Sequence, residues 1–151
     1  MIDIDELKKK QSETHRLIGL DLGSKRIGVS ICDEKQSIAT PFKTINKTNT
    51  IELISQLKEI INEYNIKGII IGNPLSMDGS SGRSAQSVND VSNNIDQAID
   101  IDICLWDERL STVGAFNLSS QLDVNVSKRE KKIDQNAAAF ILQGAIDFLN
   151  N

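Results

Sequence analysis

Apolar residues fall into short strand-like runs early in the chain and take helical spacing later. Leu17-Ile18-Gly19-Leu20-Asp21-Leu22 reads as a strand that is apolar on both faces except for one carboxylate, the pattern of a buried central strand. Gly23-Ser24-Lys25 predicts a tight turn. From Arg26 to Cys32 the pattern alternates, with Ile27, Val29 and Ile31 on one face, which predicts a hairpin partner. A third short strand around Ser37 to Thr44 completes an antiparallel meander, and Pro41 asks for a place at a sheet edge.

Beyond the meander, helix and strand alternate. Thr50 can cap a helix through Tyr64, with Ile51, Ile54, Leu57, Ile60 and Ile61 at helical spacing. Gly68 to Ile71 is a short apolar strand. A second helix runs from about Ser84 to Ile99, and Ile101 to Trp106 is the next strand. Ser111 to Gln121 reads as helix, and Leu122 to Lys132 as a polar, mobile loop. Asp134 to Leu149 is a strong helix with Ala137, Ala138, Ile141, Leu142, Ala145 and Leu149 on its core side. Met1 to Arg16 is polar and charge-balanced, so residues 1–16 are expected to form a flexible extension, frayed or weakly helical, and residues 17–151 one domain. The order predicts an α/β fold: a five-stranded mixed sheet flanked by helices, with the Asp21 strand central.

Composition narrows the function classes. A chain of 151 residues suits one domain with a real core, and 39% hydrophobic against 25% charged residues is globular rather than disordered. No apolar run approaches the roughly 20 residues of a membrane helix. The N-terminus has no apolar signal region, so a cytoplasmic monomer or homodimer without a membrane partner is expected. The two cysteines, Cys32 and Cys104, sit in apolar strands and form no metal-binding cluster. The single histidine, His15, precedes the first strand, which disfavours a histidine base. A net charge of −4 argues against a protein that coats nucleic acid non-specifically. It permits an enzyme with a local basic rim around an acidic metal site.

Three places hold carboxylates that apolar patterning does not ask for. Asp21 interrupts a strand, Asp107 and Glu108 directly follow one, and Asp134 opens the last helix. A carboxylate in a central strand is costly without a cation or donor. Carboxylates from separate segments can converge on one or two Mg²⁺ ions, which activate water and stabilise a leaving oxygen in phosphodiester hydrolysis. Each also has a structural reading: Asp134 as a helix N-cap, Asp107 and Glu108 as solvated strand-end charges.

Four motifs add to this. They are Gly19-Leu20-Asp21-Leu22-Gly23-Ser24-Lys25-Arg26-Ile27-Gly28-Val29, Asn73-Pro74-Leu75-Ser76-Met77-Asp78-Gly79, Asp107-Glu108-Arg109-Leu110-Ser111-Thr112, and Lys132-Ile133-Asp134 before an alanine-rich helix. In this order, from about Leu17 to Leu149, they resemble the YqgF/RuvX family. The resemblance implies a ribonuclease-H-like fold similar to Holliday-junction resolvases. It also implies a role in nucleolytic maturation of the 5′ end of the small-subunit (16S) ribosomal RNA precursor. Asp21, Glu108 and Asp134 would be the acidic ligands of Mg²⁺ or Mn²⁺ in a phosphodiester hydrolase of two-metal type, with Asp107 as an alternative to Glu108. The chain departs from the family at Asn73, where Leu is usual, and at Lys131, where glycine is common. It also lacks Lys and Arg between Ser84 and Ile99.

Basic residues near these motifs are Lys25, Arg26, Arg83, Arg109, Lys128, Arg129, Lys131 and Lys132. Of these, Lys25, Arg26, Arg109 and Lys132 are the expected substrate contacts, because Arg or Lys beside a scissile phosphate would position it. Gly79 and Gly82 suggest a loop that moves over the site. Trp106 reads as core. The leading expectation is an endonuclease on structured RNA. Its rivals are a resolvase on branched DNA, a phosphate-binding ATPase or sugar kinase, and a ribosome-assembly factor without catalysis. The kinase reading needs a second lobe that this length does not supply.

Overall fold

The computed structural model describes residues 1–10, 15–74, 82–108 and 126–151, with 83–85 and 126–133 through their backbone only. The strands are β1 (Leu17–Leu22), β2 (Arg26–Cys32), β3 (Ala39–Asn46), β4 (Gly68–Asn73) and β5 (Asp102–Asp107). The helices are α1 (Ile4–Lys10), α2 (Thr50–Tyr64), α3 (Arg83–Ala98) and α4 (Val126–Leu149). The strands form one mixed sheet in the order β3-β2-β1-β4-β5. β1 is central, antiparallel to β2 and parallel to β4, and β5 continues the parallel half.

Each strand of the sheet divides its side chains between two cores, as period-2 alternation demands. One face carries Ile18, Leu20, Ile27, Val29, Ile69, Ile71 and Ile103, covered by Leu53, Leu57 and Ile60 of α2 and by Val88 and Ile95 of α3. The other carries Leu17, Cys32, Ile70, Cys104 and Trp106 beneath Ile141, Leu142, Ala145 and Ile146 of α4. Both cysteines are buried free thiols and Trp106 is buried in this second core, as their apolar setting predicts.

Pro41 lies on β3 at the sheet edge. The register there slips between Val29 and Ser30, leaving Phe42 as the extra residue, so the missing N–H falls where the ladder is already broken. The helix expected at Thr50 is capped by Asn49, whose side chain accepts from the Glu52 N–H at 2.8 Å. Asn65 ends that helix in the left-handed conformation, which Asn tolerates better than most residues.

Two expectations change. Residues 126–132, read as part of a mobile loop, are the first two turns of α4, so Asp134 lies inside a helix and does not cap one. Lys, Arg and Glu are good helix formers even without an apolar stripe, which is why the pattern hides this start. Met1 to Lys10, expected as a frayed or weakly helical extension, is helical over Ile4–Lys10, as one of those alternatives allows, and lies against the sheet. The Ile2 N–H donates to the Ile103 carbonyl at 2.9 Å, and Ile2 bridges Cys104 in parallel, covering the β5 edge. Leu7 of α1 is 2% exposed, and Lys10 pairs with Asp102 at 2.8 Å. The helix expected over Ser111 to Gln121, residues 122–125 and the loop at Gly79 lie outside the described residues.

Candidate active site

The site is assembled at the C-terminal end of the parallel strands β1, β4 and β5, where open α/β sheets collect their chemistry. Parity decides which carboxylates meet. A side chain on Gly19 would run into Leu142 and Ala138 of α4, so β1 positions 17, 19 and 21 face α4. Asp21 is therefore on the α4 face. On β5, Cys104 and Trp106 face α4, and Glu108, one step past the strand, keeps their phase. Its carboxyl carbon would lie 3.2 Å from a Cβ placed on Gly72, whose missing side chain also points at Ile141 of α4. Asp107 falls out of phase with this face. It pairs in register with Asn73, whose buried side-chain oxygen has no hydrogen-bond partner among the described residues.

Asp134 reaches the same place from above. Gly28 is the cross-strand partner of Asp21, and a Cβ on Gly28 would overlap the Asp134 carbonyl. Glycine here lets the α4 backbone lie on the sheet backbone next to Asp21. Ser30, two residues along the same face, donates its hydroxyl to the Ala138 carbonyl at 2.8 Å and fixes the next helical turn. Arg26, also in this phase, donates Nε–H to Asp134 Oδ2 at 2.6 Å.

The electrostatics follow from this crowding. Asp21 is pushed up to about 7, first by burial and then by the charges of Glu108 and Asp134. Glu108 is also raised, by burial and then by Asp107. Half-buried carboxylates that repel one another are the donor set a hard divalent cation would relieve, so the residues fit Mg²⁺ or Mn²⁺ in chemistry. Their positions are not yet those of a closed cage: among the described residues no three Asp, Glu, His or Cys side chains close around one point. Asp134 is turned onto Arg26 instead.

Of the expected substrate contacts, Lys25 is exposed at the hairpin turn and Arg26 is engaged with Asp134. Arg109 lies outside the described residues, and Lys132 is described only as α4 backbone. Sequence reasoning missed Gly28, Gly72 and Ser30. The available signal was small residues recurring on the Asp21 face of neighbouring strands.

Residues 15–148 match the profile of a family described as "RuvX: Holliday junction resolvase". A protein of Pelagibacter ubique, named as a candidate pre-16S rRNA nuclease, is 76% identical over the whole of both chains. A protein of Chelativorans with the same name is 42% identical over 99% of this chain and 93% of its own. Among solved structures, Thermus thermophilus RuvC bound to a Holliday junction superposes with a TM-score of 0.57 at 9% identity, covering 87% of this chain and 93% of that one. The yeast mitochondrial Holliday junction resolvase superposes at 0.56 with 12% identity, covering 97% and 84%. At these identities the likeness is one of fold, the ribonuclease-H-like sheet.

Proposed function

This chain belongs to the RuvX family, and from that membership we propose that it is a metal-dependent endonuclease that processes the 5′ end of pre-16S ribosomal RNA in the cytoplasm. The observation that carries the reading is the meeting of Asp21, Glu108 and Asp134, from β1, the end of β5 and α4, on one face at one end of the sheet. The names of the relatives favour RNA, and their identity to this chain is far above that of the DNA resolvases.

Asp21, Glu108 and Asp134 would hold Mg²⁺ or Mn²⁺, which when bound supplies an activated water and a counter-charge for the leaving oxygen. The chain's own residues prepare that place. Partial burial of Asp21 and Glu108, together with their acidic neighbours, disfavours their charged forms, so a cation entering the site would be favoured by relieving that cost. Gly28 and Gly72 leave the floor of the site without side chains. Lys25 at the hairpin tip, with Arg109 and Lys132, would neutralise phosphates on either side of the scissile one.

A second reading, cleavage of branched DNA, is favoured by the fold shared with RuvC and by the family description. Incubating the protein with a pre-16S RNA fragment and with a four-way DNA junction, under one Mg²⁺ condition and beside Asp21→Asn, tests both. Cleavage of the RNA that Asp21→Asn abolishes is expected. Cleavage of the junction alone would move the assignment to DNA. Equal cleavage by Asp21→Asn would defeat the mechanism for either substrate.

A further inference from the structure

Among the described residues, Asp134 is the one of the three carboxylates seated on a guanidinium. Arg26 Nε–H donates to its Oδ2 at 2.6 Å, and both side chains are largely shielded, at 28% and 21% exposure. The pairing is built into the fold. Arg26 lies on β2 in phase with Gly28 and Ser30, the positions that touch α4, and Gly28 seats the Asp134 backbone. A third carboxylate beside Asp21 and Glu108 without a counter-charge would be driven off the site. Arg26 supplies that charge, and while it does so one side-chain oxygen of Asp134 is spoken for.

A guanidinium matches the geometry of phosphate as well as that of carboxylate. We propose that Arg26 is a positioning residue that holds Asp134 in the metal-free protein and releases it to the cation when a phosphodiester takes the guanidinium. Metal and nucleic acid then bind cooperatively, each favouring the state in which Arg26 has left Asp134. The proposal rests on Asp21, Glu108 and Asp134 being the cation's ligands.

Calorimetric titration of the full chain with Mn²⁺ tests it without any turnover. Arg26→Gln should bind Mn²⁺ about tenfold tighter than the parent, the scale of one charge-assisted hydrogen bond removed from competition. The gain should vanish in Arg26→Gln/Asp134→Asn. A 2′-O-methyl RNA oligonucleotide should tighten Mn²⁺ binding to the parent and leave Arg26→Gln unmoved. Should Arg26→Gln not fold, Arg26→Lys carries the test, since lysine lacks the planar fork and should also tighten binding. Equal Mn²⁺ affinity in the parent and the folded Arg26 variant overturns the proposal. So does a gain that survives Asp134→Asn, because that is only a general charge effect. If Asp21→Asn, Glu108→Gln and Asp134→Asn all bind Mn²⁺ as the parent does, the ligand reading fails and the proposal with it. Ligand-dependent binding with no effect of Arg26 defeats the proposal alone.

Discussion

The carbonyl of Asp134 occupies the place where a side chain on Gly28 would be. Gly28→Ala would therefore have to lift α4 off β2 at the turn that carries a candidate ligand. Overpacking against backbone cannot be relieved by a rotamer change, so a loss of about 1–3 kcal/mol or more is expected. Urea unfolding would show a lowered midpoint. Metal-dependent cleavage should fall further than stability explains, because Asp134 moves with the helix.

The raised Asp21 predicts a pH-dependent fold in the absence of metal. Its carboxyl stands at about 7 in the folded chain against an ordinary 3.8. The folded state thus keeps a proton that the unfolded chain has already released, and ionised Asp21 costs stability. That cost is absent below about pH 4, grows through the window up to about 7 and is full above it. With EDTA present, the parent should lose a few kcal/mol relative to Asp21→Asn across this window. Parallel stability curves for the two proteins would contradict the burial argument. Mn²⁺ should stabilise the parent by mass action and flatten the difference.

Strand parity separates the adjacent acids. Glu108 shares the α4 face with Asp21, and Asp107 does not. Glu108→Gln should reduce cleavage of a structured RNA by about 100-fold or more, as expected when charge stabilisation of the transition state is lost. Asp107→Asn should retain most of the activity. The reverse ranking would place Asp107 in the site.

Leu7→Ala distinguishes a docked N-terminus from a loose one. Leu7 is buried against the core under α4. Truncating it should cost about 2–5 kcal/mol, the usual price of a buried leucine. An unchanged melting temperature would mean that α1 adds nothing to the fold.

Lys128, Arg129, Lys131 and Lys132 all lie in the opening turns of the helix that carries Asp134. Neutralising the four should weaken RNA binding and reduce the slope of log affinity against log salt by up to about 3, if each meets a phosphate. An unaltered slope would show that these charges serve only the solvent.

Much of this was legible in the sequence. The alternation of β2, the doubly apolar β1 and the helical spacing of α2 and α3 give the sheet and its helical cover, because burial of one face or both leaves a direct mark on the pattern. Asp21 stood out for the same reason. What the pattern concealed had other causes. The start of α4 is rich in charged helix formers whose sequence carries no apolar stripe. The docking of α1 depends on Ile2, Ile4 and Leu7, three apolar residues dispersed among charges. Arg26 was visible as a basic residue, but its seat on Asp134 depends on a contact 108 positions apart. That Glu108 and not Asp107 lies on the α4 face needed the phase of β5 against α4, which only the packed sheet supplies.

The glycines beneath α4 have one more consequence. At Gly19 a Cβ would stand 2.7 Å from the Leu142 Cβ and 2.9 Å from the Ala138 carbonyl, and Gly72 lies as close under Ile141. Along this stretch helix and sheet touch with little side-chain padding between them, and padding is what lets a core yield when a residue is exchanged. The face beneath α2 and α3 is lined by large side chains and can repack as its sequence drifts. The α4 seat is stiff by comparison, so the height of Asp134 above Asp21 is a property of the main chain and can outlast wide turnover in the core around it.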